Sequence, residues 1–300
     1  MYFNENSLIS LNGDLKKMNH SLESLFAQTM HYGYGVFEGI RAYQTEDGAK
    51  IFKAEEHYER LKKSCEYLHI PFEYSVDELV AHTYELLEAN GLQDAYIRPL
   101  VFAEANMSLT APKQSQLMIA VWHWGAYMGD KLLKVKTSSY CRPHPRSTHI
   151  EAKACGHYVN STLATIEAKE HGFDEALLLD SEGFLAEGSG SNLFFELNSK
   201  LYTPQLGQIL AGITRATVIE LCEDLNIEVE EGQFSPEMLK QADSAFFCGT
   251  AAEIIGFEQL DNYCFPLAWE QSLGKKLQDA YRNLVVEKNE TWNLTATARP

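Results

Sequence analysis

Lys153 and Tyr158 stand five residues apart in the stretch Glu151-Ala152-Lys153-Ala154-Cys155-Gly156-His157-Tyr158-Val159-Asn160-Ser161. Alanines on either side of the lysine leave room for a bulky partner, and a partly buried amine is more readily neutral and so nucleophilic toward a carbonyl. An isolated lysine at a helix start is ordinarily just solvated. Its company downstream favours the chemical reading. Glu187 opens Glu187-Gly188-Ser189-Gly190-Ser191, while Ala211-Gly212-Ile213-Thr214-Arg215 and Gly249-Thr250-Ala251 each set glycine beside threonine. Helix N-termini and turns of that kind present unpaired backbone N–H groups and a hydroxyl, which suits a phosphate. Each motif alone could be a turn or a cap. Taken together, an amine, two anion grips and a carboxylate fit a phosphorylated pyridine aldehyde, whose ring becomes an electron sink when an acid keeps its nitrogen protonated.

These groups need elements to position them. An alternating run at 7–11 meets Asn12-Gly13, the favoured hairpin turn. Residues 31–43 are aromatic and β-branched with three glycines, so a strand that a ligand approaches closely is expected there, followed by a strand at 49–53. Helices are expected over 54–69, with Tyr58, Leu61, Cys65 and Leu68 at helical spacing, and over 75–90, where Ser75 and Glu78 form a capping box. Apolar strands at 95–102 and 117–122 complete an α+β unit. The pattern breaks at 124–130, so we expect a small domain over 1–123, a connection over 124–131 and a larger domain over 132–300. The second part reads as strands at 132–138, 175–179, 192–197 and 245–248, with Glu187 between strands. Its helices are expected at 157–170 (burying Val159, Leu163 and Ile166), at 214–226, from Ser235-Pro236, and at 267–284, ahead of a frayed polar tail.

Lysine plus arginine number 25 against 42 aspartate plus glutamate, a formal charge of -17, which argues against nucleic acid or an anionic membrane as partner. No apolar run is long enough to span a bilayer, and residues 1–10 lack a signal-peptide pattern, so a cytoplasmic enzyme is expected. Six cysteines are scattered with no CxxC pair, and His144 and His149 have no companion at ligand spacing; neither a metal site nor a disulfide framework is indicated.

The order of motifs resembles the class IV (fold type IV) pyridoxal phosphate-dependent aminotransferases, most closely the branched-chain amino acid aminotransferases. The resemblance runs from about Asn12 through the last helix. It rests on Tyr32-Gly33 with Val36-Phe37-Glu38-Gly39-Ile40-Arg41, on His57-Tyr58-Glu59-Arg60-Leu61, on Ala95-Tyr96-Ile97-Arg98-Pro99-Leu100 and on Trp124-Gly125-Ala126-Tyr127. The Lys153 stretch, Glu187 through Phe194, Gly212-Ile213-Thr214-Arg215 and Gly249-Thr250-Ala251-Ala252-Glu253 follow in sequence order.

The resemblance implies a small α/β domain and a larger pseudo-barrel domain with pyridoxal 5'-phosphate in the cleft between them. It implies that Lys153 carries the cofactor, that Tyr158 bonds its phenolic oxygen, that Glu187 pairs with the pyridine nitrogen, and that Arg60, Ile213, Thr214 and Thr250 hold the phosphate. Tyr96, Thr250 and Ala251 would meet the substrate α-carboxylate, and Tyr32, Arg98 and Tyr127 a glutamate side chain. Phe37, Gly39, Arg41, Trp124 and Tyr127 would line the side-chain pocket. The implied reaction exchanges amino groups between L-branched-chain amino acids and 2-oxoglutarate in at least a homodimer. A D-amino acid aminotransferase or an aminodeoxychorismate lyase would share the fold, and the Phe37, Gly39, Arg41, Tyr96 and Arg98 set favours L-branched-chain substrates. The chain departs from the family at Asn106-Met107-Ser108-Leu109, where a glycine-richer turn is usual, and at His157 and Ser191, where asparagine and glutamate are frequent.

Overall fold

The structure, a computed structural model, describes residues 4, 6–18, 24–124 and 131–286; the expected connection at 125–130, with Tyr127, and the tail at 287–300 lie outside the described residues. Seven strands make a first sheet: β1 (Leu8–Leu11), β2 (Asp14–Lys17), β3 (Gly35–Phe37), β4 (Ile40–Thr45), β5 (Gly48–Ile51), β6 (Ala95–Ala103) and β7 (Ser115–Trp122). Their order is β2-β1-β7-β6-β4-β5, with β3 also on β6, and neighbours run antiparallel. Asn12 and Gly13 adopt φ of 52° and 88°, the double positive turn that matches strand twist.

The single strand expected over 31–43 is instead a short helix, α1 (Gln28–Tyr32), followed by β3 and β4. Gly33 ends α1 in the left-handed conformation (φ 64°), and a Cβ there would lie 2.8 Å from Gly156 Cα, so the glycine both stops the helix and lets the Lys153 segment pass against it. Helices α2 (Ala54–Tyr67) and α3 (Val76–Ala89) cover one face, setting Tyr58, Leu61, Leu79 and Leu86 on Ile40, Ile97, Val101 and Ile119. The capping box of Ser75 and Glu78 forms at the start of α3.

The second sheet has nine strands: β8 (Leu133–Cys141), β9 (Glu175–Leu179), β10 (Leu185–Gly188), β11 (Asn192–Leu197), β12 (Lys200–Pro204), β13 (Val229–Gly232), β14 (Ser244–Gly249), β15 (Glu253–Leu260) and β16 (Tyr263–Cys264). The order β10-β9-β8-β15-β14-β11 closes on itself where Glu187 of β10 pairs with Asn192 of β11. That closure makes the barrel-like body, with β12 and β13 continuing the sheet past β11. Strand alternation explains the continuous apolar run at 193–195: Leu193 and Phe195 join one core with Phe247 and Phe257, while Phe194 turns to another with Phe246, Leu277 and Tyr281.

Four helices accompany it, α4 (Tyr158–Glu170), α5 (Ile213–Asp224), α6 (Pro236–Leu239) and α7 (Leu273–Val286). The expected facing of α4 is reversed: Val159, Leu163 and Ile166 are 64%, 41% and 48% exposed, whereas Ser161, Ala164 and Ala168 are buried. Small residues let this helix lie close on β9, against Ala176 and Leu178, and the bulky stripe faces outward. The last helix begins at 273 rather than 267 because Ser272 Oγ accepts from Lys275 N–H and starts it there.

Candidate active site

The segment carrying Lys153 is stitched to the first sheet. Phe37 N–H donates to Lys153 O at 3.1 Å, Val36 bridges Ala154, and Gly156 N–H donates to Gly33 O at 3.0 Å. Lys153 N–H donates to Ser64 Oγ of α2 at 3.1 Å. With its backbone fixed on both sides, the side chain reaches inward, and Nζ donates to Tyr158 Oη at 2.8 Å. The amine also lies 5.2 Å from the centre of the Phe37 ring.

A cavity opens at this amine, and Arg60, Lys153, Tyr158, Glu187, Ile213, Thr214 and Thr250 all line it. One end is acidic. Glu187 lies on β10 rather than in a loop, and its buried carboxylate accepts from Asn192 Nδ2 at 3.1 Å and Leu210 N–H at 3.2 Å. Arg142 Nε sits 2.8 Å from Glu187 Oε1, an ion pair whose N–H is not aligned for a hydrogen bond. Burial pushes the Glu187 carboxyl up, and Arg142 is the strongest of the groups that pull it back.

The other end favours anions. Helix α5 starts at Gly212 without a side-chain cap, so its first N–H groups lack intrahelical partners, and Thr250 follows β14 directly. Arg60 reaches this end from α2, clamped by Glu38 through Nε at 2.7 Å and Nη2 at 2.9 Å, with Nη1 donating to Ala211 O at 2.7 Å. His57 Nδ1 donates to the same carboxylate at 2.8 Å. Burial alone would raise the Glu38 carboxyl, but Arg60 and His57 hold it well below the usual carboxylate range. Burial also lowers His57.

A second cavity shares Lys153, Tyr158 and Thr250 and continues past Phe37, Gly39, Tyr96, Arg98, Trp124 and Ala251. Arg98 Nη2 donates to Tyr96 Oη at 3.1 Å and the guanidinium lies 4.7 Å from the Phe37 ring centre, while its buried Nε has no hydrogen-bond partner among the described residues. Tyr96 is packed against Trp122 and Trp124, each with ring centres 5.1 Å away.

Two expected residues lie outside both cavities. Arg41 turns to Asp94, 3.1 Å away at the sheet margin, because a buried guanidinium takes the nearest carboxylate. Tyr32, at the end of α1, is 45% exposed and donates to Met107 O at 3.1 Å. Sequence reasoning missed Arg142, Glu38 and His57. The available signals were an arginine directly after the strand at Leu133–Cys141, and a histidine and arginine three apart on one helix face.

A family model for amino-transferase class IV matches residues 35–260. The chain belongs to the class IV aminotransferases. Among them it is similar to the branched-chain-amino-acid aminotransferase of Pseudomonas aeruginosa, with 39% identity over 289 residues, 94% of each chain. Solved structures agree. The branched-chain aminotransferase of Thermoproteus uzoniensis with norvaline superposes at a TM-score of 0.91 with 36% identity, covering 95% of this chain and 96% of that one. The holo form of the Thermobaculum terrenum enzyme, with PLP, gives 0.90 and 33%, covering 97% and 98%. Among the described residues no helix is long and apolar enough to cross a membrane, and no cluster of metal-ligating side chains occurs.

Proposed function

We propose that the two cavities divide one task, the first holding pyridoxal 5'-phosphate and the second the amino or 2-oxo acid. The reaction is transfer of the amino group between L-leucine, L-isoleucine or L-valine and 2-oxoglutarate, giving branched 2-oxo acids and L-glutamate. The observation that carries this reading is the Lys153 amine, 2.8 Å from Tyr158 Oη, in a cavity with a buried carboxylate at one end and the open N-terminus of α5 at the other.

When bound, the cofactor supplies an aldehyde for Lys153 and a ring that draws electrons from the substrate Cα. The chain's own groups do the rest. Glu187, backed by Arg142, would hold a proton on the pyridine nitrogen; Tyr158 would hold the phenolic oxygen; Arg60, the Ile213 and Thr214 backbone and Thr250 would take the phosphate. Lys153 Nζ would be the general base that takes the proton from the substrate Cα and, once protonated, the general acid that gives it up at a different atom. Tyr96 and the N–H groups of Thr250 and Ala251 would orient the α-carboxylate. Phe37, Gly39 and Trp124 leave apolar room for a branched side chain, and the Arg98 guanidinium offers a carboxylate partner for glutamate.

We further propose a homodimer. Leu25, Phe26, Met30 and Leu109 are exposed beside Tyr32, and Val159, Leu163 and Ile166 form an outward apolar stripe, more greasy surface than a soluble monomer usually shows. Tyr32 would then serve the partner's pocket rather than its own. A cytoplasmic setting suits six free thiols. The test is a substrate panel: with 2-oxoglutarate as acceptor, L-leucine, L-isoleucine and L-valine should turn over and D-alanine should not. Lys153→Ala should lose both turnover and the visible absorption of the bound cofactor. Turnover of D-alanine alone, or an active Lys153→Ala variant, would refute the reading.

A further inference from the structure

We propose that Glu38 is a positioning residue for the anion grip, holding the Arg60 guanidinium so that one edge ties down Ala211 and the free N–H groups face the cofactor's phosphate. The proposal rests on the reading of Arg60 as a phosphate ligand. Glu38, at the turn between β3 and β4, is 0% exposed, and a carboxylate is driven into such a place only when its partners compensate the lost water. Its partners are Arg60 Nε and Nη2 at 2.7 and 2.9 Å and His57 Nδ1 at 2.8 Å. That fork is the geometry in which a guanidinium loses its freedom to swing.

With Nη1 committed to Ala211 O, three of the five N–H groups of Arg60 are engaged, leaving one on each terminal nitrogen for an anion in the cavity that Arg60 lines. Ala211 directly precedes Gly212, the first residue of the α5 cradle. One carboxylate therefore sets both the arginine and the loop that delivers the helix N-terminus. His57, neutral through burial, completes the clamp without adding a charge that would compete for the carboxylate. Without Glu38, Arg60 would still be present but free to turn toward water, since no other carboxylate is seen to hold it among the described residues.

The test compares pyridoxal phosphate with pyridoxal, which has the same aldehyde and ring but no phosphate. Affinities for both are measured by absorbance on the full chain freed of cofactor, for wild type, Glu38→Gln, Arg60→Ala and the double variant. Glu38→Gln should weaken pyridoxal phosphate about tenfold to a hundredfold, the range for a misaligned charge-assisted bond, and leave pyridoxal within about twofold. The double variant should bind no worse than Arg60→Ala, because Glu38 acts through Arg60. If Arg60→Ala lowers the affinity ratio and Glu38→Gln does not, the positioning role is refuted while the phosphate reading survives. If Arg60→Ala leaves the ratio unchanged, the phosphate reading fails and this inference with it. Should Glu38→Gln not fold, Glu38→Asp keeps the charge but shortens its reach. A ratio unchanged in that variant would equally overturn the proposal, and a loss of about threefold or more would support it.

Discussion

Gly39→Ala tests the substrate pocket with a single methyl group. A Cβ at Gly39 would stand 2.0 Å from Tyr96 Oη and 2.9 Å from its Cζ, so the tyrosine must retreat by roughly 1.5 Å to restore an ordinary contact. It has little room to do so. The ring is 6% exposed and is packed on Trp122 and Trp124, and its hydroxyl accepts from Arg98. Gly39 does not adopt a positive φ, so the cost lies in this contact and not in the backbone. If Tyr96 orients the substrate as proposed, a displacement of that size is expected to lower kcat/KM about a hundredfold, or ~2.7 kcal/mol of transition-state stabilisation. Folding should lose about 1–3 kcal/mol through overpacking. Gly39 does not line the cofactor cavity, so the absorption of the bound cofactor should persist. Steady-state kinetics with L-leucine and 2-oxoglutarate, alongside urea unfolding, measure both effects. Adding Tyr96→Phe removes the clashing oxygen and should recover much of the stability but not the turnover. A kcat/KM for Gly39→Ala within about threefold of wild type would refute the placement of Tyr96 Oη at the substrate.

Arg142→Ala should destabilise the chain by roughly 3–5 kcal/mol in denaturant unfolding, because it leaves the buried Glu187 without its cation; a loss below about 1 kcal/mol would show the pair to be dispensable. His57 and His157 are both held below the ordinary histidine range by burial, so as pH falls below about 6.5 the unfolded chain gains protons that the folded chain refuses, and stability drops. Glu38, depressed by its partners, keeps its contribution over that interval and loses it only below about pH 4. Thermal melts between pH 7.5 and 5.5 should therefore decline, less steeply in His57→Asn, and an unaltered slope would move the effect to other groups. Replacing Val159, Leu163 and Ile166 together with serine should dissociate the proposed dimer. About half of each side chain remains to be buried, roughly 5–9 kcal/mol over two copies, and sedimentation at micromolar concentration showing an unchanged dimer would remove α4 from the interface.

What the sequence revealed followed the range of each signal. Asn12-Gly13 and the Ser75–Glu78 box are local and formed where expected, because their hydrogen bonds close within four residues. The open start of α5 was legible for a similar reason: uncapped backbone N–H groups at Gly212–Thr214 need only a glycine and a helix start, both visible in sequence. Orientation was not legible in the same way. The stripe Val159, Leu163, Ile166 has perfect helical spacing, yet periodicity identifies a face without saying what it faces. The deciding clue lay opposite, in Ser161, Ala164 and Ala168, small enough for a helix to sit directly on a strand. Arg142 escaped notice because its partner is far along the chain and meets it only when β9 pairs with both β8 and β10.

Arg41 shows the limit most directly. Phe37 and Gly39 line the second cavity, and alternation would set Arg41, two residues on and paired with Tyr96, toward the same side, but the nearby Asp94 takes its guanidinium. Residue type and spacing therefore pointed to a site whose proposed ligand would be gripped by backbone and by a single amine. They could not choose among charged side chains whose partners come from distant strands, and it is there, at Glu38, Arg60 and Arg142, that the structure adds a set of buried ion pairs behind the visible motif.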